Sequence, residues 1–163
     1  MSEDPIGFSG ADHNLYRYLV NSPIGHIDPY GLASCSYTIS TGVLGCVSND
    51  GSTSANAQMF SGINKYRNRS DSTNVDYGPI TQEVYEIIKV PGKNPRDWFL
   101  DPGFLKKIGY RFGLSRGAFM LHLRTGVSQG CITADDNELD IVLQIINNML
   151  NQDAGNNTLT VVK

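Results

Sequence analysis

The stretch Phe119-Met120-Leu121-His122-Leu123-Arg124-Thr125-Gly126-Val127-Ser128-Gln129-Gly130-Cys131-Ile132-Thr133 carries the reading of this chain. Phe119, Leu121 and Leu123 alternate with Met120, His122 and Arg124, which is the period of a strand with one apolar face. The apolar set enters the core, and His122 and Arg124 share the opposite face. The Gly- and Ser-containing segment from Thr125 to Gly130 then returns the chain to Cys131. A thiol has an ordinary pKa of about 8.5 and needs a base or a positive field to become a nucleophile at neutral pH. An imidazole nearby supplies that base and can later hand the proton to a leaving amine. Gly130, without a side chain, permits an unusual backbone angle and close approach of a substrate, and leaves the amides around it and Cys131 open toward an acyl oxyanion. Taken one at a time, a lone Cys, a lone His and a Ser-x-Gly are each more often structural than functional.

Downstream, Leu139, Val142, Leu143, Ile146, Met149 and Leu150 repeat at helical spacing, with Asp135, Asp136 and Glu138 ahead of them where the helix dipole favours acids. Upstream, strands are expected at Ser36–Ser40, Val43–Val47 and Glu83–Val90, bounded by Gly, Pro and Asn clusters. The polar stretches Asn49–Asn56 and Asn68–Asn74 read as loops, and Asp101-Pro102-Gly103 is expected to open a short helix near Phe104–Ile108. Trp98 and Tyr110 are core aromatics or line a peptide groove. The fold class is mainly β with a C-terminal helix.

With 163 residues the chain is sized for about one domain. Apolar residues make up 40% and charged residues 18%, which excludes wholesale disorder. No apolar run approaches the roughly 20 residues of a membrane helix, and no secretory signal is legible. Thirteen basic against sixteen acidic residues, with no basic cluster, argue against nucleic acid as a partner. The acidic excess lies within residues 1–32, where Glu3, Asp4, Asp12 and Asp28 face only Arg17. Of three cysteines at least one is unpaired within the chain, and whether Cys35 and Cys46, eleven residues apart, form a disulfide stays open. Three His and three Cys show no zinc-ligand spacing, so no metal or cofactor is expected.

The front segment contains an internal echo, Asp4-Pro5-Ile6-Gly7 and Asp28-Pro29-Tyr30-Gly31, both suited to type I turns. With Asn14-Leu15-Tyr16-Arg17-Tyr18, Asn21-Ser22-Pro23 and the ending Asp28-Pro29-Tyr30-Gly31-Leu32, it resembles the C-terminal edge of the core of Rhs polymorphic toxins. The resemblance implies residues 1–32 as the end of a cage, 33–163 as the toxin, and self-cleavage between Leu32 and Ala33. Asp28 and Asp4 are the positions carried over to that cleavage, since paired carboxylates can share a proton and activate water.

His122-x5-Ser128-x-Gly130-Cys131-Ile132 resembles the signature of YkuD-type L,D-transpeptidase domains, in the branch used as type VI secretion effectors against cell walls. Further landmarks run in order: Ser40-Thr41-Gly42, Phe60-Ser61-Gly62, Gly78-Pro79-Ile80, Tyr85-Glu86-Ile87 and Leu114-Ser115-Arg116-Gly117-Ala118-Phe119. The resemblance implies a β-sandwich or barrel and a Cys131 nucleophile attacking the amide before the terminal D-alanine of a peptidoglycan stem tetrapeptide. His122 is then general base and acid, Ser128 organises the loop or the oxyanion site, and Gly130 shapes it. In such sites the third partner, which would hold His122, is often a backbone carbonyl. Where many members carry Arg shortly after the Cys, this chain has Thr133, so Arg124 or Arg116 is expected to receive the substrate carboxylate. Exchange of D-alanine for another D-amino acid is the expected reaction. Trimming by water, as an L,D-carboxypeptidase, and a different Rhs toxin class such as a nuclease are the alternatives. The toxin context implies an immunity protein, an Rhs cage and type VI carrier, and action in the target-cell periplasm.

Overall fold

A computed structural model describes residues 33–103, 118–126, 128–135, 140–152 and 157–163. The expected cleavage residues Asp4, Asp28 and Leu32, the helical segment near Phe104–Ile108, Tyr110 and Arg116 lie outside the described residues, as do Asp136, Glu138 and Leu139 ahead of the helix.

The first hairpin pairs β1 (Ser34–Thr38) antiparallel with β2 (Val43–Val47). Its turn closes through Gly42, whose amide donates to Thr38 O at 2.8 Å and whose φ is +71°. A Cβ there would stand 2.4 Å from Met59 O, so glycine is required on both conformational and steric grounds. Cys35 and Cys46 face each other in the register, both buried, and are joined by a disulfide, which settles the question their spacing left open.

The chain continues into β3 (Ser54–Ser61), antiparallel to β2. The loop expected over Asn49–Asn56 therefore ends earlier, at Thr53. Ser54, Asn56 and Gln58 are exposed while Ala55, Ala57 and Met59 are buried, so the polar residues were the outer face of a strand. After β3, residues 62–83 form an irregular excursion containing a 3-10 turn at Asn64–Tyr66. Asn68 ties it down: its Oδ1 accepts from Tyr37 Oη at 2.8 Å and from the Ser61 amide at 2.9 Å, and its own amide donates to Ser61 O at 2.8 Å.

Next come β4 (Val84–Lys89), β5 (Asp97–Asp101) and β6 (Met120–Thr125), paired antiparallel in sequence. The short strand β7 (Ile132–Ala134) runs parallel to β6 and antiparallel to β3. Helix α1 (Asp140–Gln152) follows, and the final β8 (Asn157–Val162) lies parallel to β1 and antiparallel to β4. Among the described residues the order β1-β2-β3-β7-β6-β5-β4-β8 closes into an eight-stranded barrel. Closure leaves no exposed sheet edge. The mainly β reading holds, and the helix falls where its periodicity placed it.

Leu143, Ile146, Met149 and Leu150 of α1 are buried, and the helix packs against β3 and β6. Each such side chain contributes roughly 1.5–3 kcal/mol by leaving water. Leu121 and Trp98 pair across β6 and β5 on the core face, where Trp98 Nε1 donates to Asn147 Oδ1 of the helix at 3.0 Å. Trp98 is 2% exposed, which makes it a core residue and removes it from a peptide groove. Asn157 Nδ2 donates to Leu150 O at 2.9 Å, satisfying a carbonyl of the last helical turn. No helix among the described residues is long and apolar enough to cross a membrane.

Candidate active site

The strand alternation read in β6 is the one observed. Phe119, Leu121 and Leu123 are buried at 4%, 0% and 0%, while His122 and Arg124 sit half-buried on the other face. In the antiparallel register His122 lies opposite Asp97 of β5. Paired residues of adjacent strands place their side chains on one face, so the pairing delivers a carboxylate to the imidazole. Asp97 Oδ1 stands 2.9 Å from His122 Nδ1. The same oxygen accepts from Arg124 Nε at 2.9 Å, and Oδ2 accepts from Arg124 Nη2 at 3.1 Å.

Asp97 is 5% exposed. Burial alone would raise its carboxyl, but the hydrogen bonds and charges of Arg124 and His122 outweigh that and hold it below the ordinary carboxylate range. An ionised Asp97 can only accept, so the proton between the pair sits on His122 Nδ1, which in the neutral ring leaves the lone pair on Nε2. Stability from this carboxylate is complete above the unfolded pKa of about 3.9 and is lost as pH falls through the lower folded value. The thermal midpoint is expected to hold from about pH 7 to 5 and to drop below about pH 4, with a shallower drop in Asp97→Asn, measured by circular dichroism.

Cys131 closes the turn before β7 and lies outside the disulfide. The parallel register pairs His122 with Thr133 of β7, and Cys131 directly precedes that strand, two residues before Thr133. The turn is pinned from two sides. Ser128 is fully buried; its Oγ accepts from the Gly62 amide at 3.0 Å and from the Gly130 amide at 3.2 Å, and donates to Cys131 O. Ser61, also fully buried, donates from Oγ to Gly130 O at 2.8 Å and accepts from the Ile80 amide at 2.8 Å. Gly130 has φ +110°, a region that side-chain-bearing residues rarely adopt, so the turn needs glycine there.

Three of these residues have partners that the sequence did not name. The Gly130 amide, expected to be open toward an oxyanion, donates to Ser128 Oγ instead. The partner of His122 is the Asp97 carboxylate and not a backbone carbonyl. Arg124, expected to receive a substrate carboxylate, commits Nε and Nη2 to Asp97. Asp97 and Ser61 went unassigned in the sequence; the signals were an acid opening the apolar run Trp98-Phe99-Leu100 and a serine ending an alternating strand. Thr133 is fully buried and donates from Oγ1 to Arg124 O at 2.9 Å, tying β7 to β6. Ala33 is buried, and its carbonyl accepts from the Thr158 amide at 3.1 Å.

Among the described residues no group of three or more His, Cys, Asp or Glu is arranged to hold a metal ion. A concavity of about 400 Å³ lies away from Cys131, over the disulfide hairpin, lined by Ser34, Ser36, Gly45, Asn56 and Thr160 among others. Its lining holds hydroxyls but no acid, no base and no free thiol to act with them, so the chemistry is assigned to the β5–β6–β7 face.

A barrel that presents a carboxylate-held imidazole beside a cysteine-bearing turn is suited to thiol-based acyl transfer. The chain matches the model of the Tlde1 domain over residues 55–161 and belongs to that family. This is a family of type VI secretion effectors of the L,D-transpeptidase type, and membership supports an antibacterial toxin directed at peptidoglycan. No curated protein and no solved structure matches the chain.

Proposed function

We propose that this protein is a toxin that remodels peptidoglycan stem tetrapeptides by cysteine acyl transfer, with Cys131 as nucleophile and His122 as general base and acid. The observation that carries the reading is the Asp97–His122 hydrogen bond on β6, the strand paired with the β7 that Cys131 leads into, within a Tlde1 domain. His122 Nε2 accepts the Cys131 proton, and the thiolate attacks the carbonyl carbon of the third stem residue. The tetrahedral intermediate collapses as His122 returns the proton to the amine of D-alanine, which leaves; a thioester remains on Sγ. The amine of a second D-amino acid then attacks the thioester, gives its proton to His122, and releases the thiolate. Ser61 and Ser128 hold the turn in which Gly130 and Cys131 sit, so the nucleophile is positioned by backbone anchors.

The rest of the reading follows the Rhs resemblance. Cleavage between Leu32 and Ala33 frees the toxin, with Asp28 and Asp4 as the acting carboxylates; β1 begins at Ser34, so the cut leaves the barrel whole. Delivery to the target periplasm agrees with the buried Cys35–Cys46 disulfide, a bond that persists in oxidising compartments. An immunity protein covering the β5–β6–β7 face completes the picture.

The test is product analysis by mass spectrometry of disaccharide tetrapeptide incubated with the protein and a free D-amino acid. A terminal residue exchanged by the wild type and not by Cys131→Ala supports transpeptidation. Tripeptide alone identifies water as the acceptor and makes the enzyme an L,D-carboxypeptidase. Unchanged tetrapeptide from folded protein contradicts the reading and returns other Rhs toxin classes to consideration.

A further inference from the structure

We propose that Asp97 and Arg124 form a positioning pair that sets the proton affinity of His122 in two opposed directions, Asp97 holding the proton on the ring and Arg124 limiting that hold. The inference rests on His122 acting as the base of the reaction proposed above. It does not make Asp97 or Arg124 a group that touches substrate.

The pair is built into the sheet. Asp97 lies directly across from His122, and Arg124 is two residues further along the same strand, so all three share one face by register. Both oxygens of Asp97 are engaged, Oδ1 by His122 Nδ1 and Arg124 Nε and Oδ2 by Arg124 Nη2, at 2.9 to 3.1 Å. A carboxylate only 5% exposed is costly to bury and gives little net stability even when paired. Its geometry is better accounted for by what it does to the imidazole. Asp97 alone beside His122 would stabilise the imidazolium strongly, because an opposite charge within about 4–6 Å favours the charged form. A histidine held protonated cannot take the proton of Cys131. The Arg124 guanidinium, bonded to the same carboxylate, cancels part of that field while leaving the Oδ1···Nδ1 hydrogen bond intact. The ring thus keeps its orientation and its tautomer and remains a base.

Among the described residues, the hydrogen bonds and strand register bring Asp97 of β5 and Arg124 of its own strand to the face of His122, and Cys131 directly precedes the neighbouring β7. Lys89 of β4 lies next in line, its Nζ 4.0 Å from the centre of the Trp98 ring and its charge coupled to Asp97.

The experiment titrates the His122 ring by NMR in the full chain carrying Cys131→Ala, so that the thiol does not couple to it, with the resonance assigned by its loss in His122→Gln. Against this parent, Asp97→Asn is expected to lower the titration midpoint and Arg124→Gln to raise it, each by at least about half a pH unit. Shifts in opposite directions are the signature; a loss of packing would not produce them. Midpoints that move together, or not at all, overturn the proposal. Should Asp97→Asn fail to fold, Arg124→Gln decides alone: its side chain is 42% exposed, and an unchanged midpoint is contradictory. In the Cys131 enzyme, Arg124→Gln is expected to change kcat on the tetrapeptide with KM held. A raised KM with unmoved His122 titration would restore Arg124 as a substrate ligand and sink the pair. The NMR arm needs no substrate, so failure of the peptidoglycan reading leaves the titration result standing, and the two failures are separable.

Discussion

Replacing Cys131 by Ala is expected to lower turnover of a peptidoglycan tetrapeptide by at least about three orders of magnitude, because covalent catalysis is lost and not merely weakened. The side chain is half-buried and the turn around it is held by Ser61 and Ser128 through main-chain atoms, so the fold should be nearly unaffected. The thermal midpoint should remain within a few degrees of wild type. A kinetic collapse without a stability change is what separates a nucleophile from a packed thiol. Product release from a stopped assay at neutral pH, alongside a melting curve, measures both quantities on the same sample. A retained activity, or a melt shifted as far as the rate, would assign Cys131 to structure.

Breaking the Cys35–Cys46 disulfide is expected to cost about 2–4 kcal/mol, the usual range for removing such a cross-link. The bond joins directly opposed residues of β1 and β2, and both cysteines are at most 4% exposed. Its loss therefore frees the unfolded chain and, as Cys35→Ala with Cys46→Ala, also leaves small voids in the barrel. The melting temperature should fall by roughly 10 °C for a domain of this size. Circular dichroism of the double variant checks it, with reduced wild type as the comparison that lacks the voids. An unchanged midpoint in both would mean that the hairpin register, and not the bond, carries the stability. Because β1 and β2 lie away from the β5–β6–β7 face, catalytic constants well below the melt should stay close to wild type.

The half of the site that sequence made legible is local. Phe119, Leu121 and Leu123 alternate within one strand, which places His122 on the free face without any knowledge of partners. Ser128, Gly130 and Cys131 are neighbours, so their turn is visible as a motif. Asp97 is a different case: it is 25 residues from His122, and the two meet only because β5 pairs with β6 in one register. A shift of one residue would turn Asp97 to the opposite face. Arg124 was visible as a cation beside the site, yet its role depends on that same long-range pairing. The strands show the same division. The hairpin Val43–Val47 and the helix periodicity could be read locally. The polar outer residues Ser54 and Asn56 hid the start of β3, and β8, inserted between β1 and β4, has no local signal for its place.

Intact-protein mass spectrometry tests the central claim most directly. Wild-type protein mixed with disaccharide tetrapeptide and quenched in acid within the first turnovers should carry one added mass, equal to the substrate less D-alanine. Peptide mapping should place it on Cys131, and Cys131→Ala should carry none. Turnover that proceeds without any adduct on Cys131, and at the same rate in Cys131→Ala, would contradict the account.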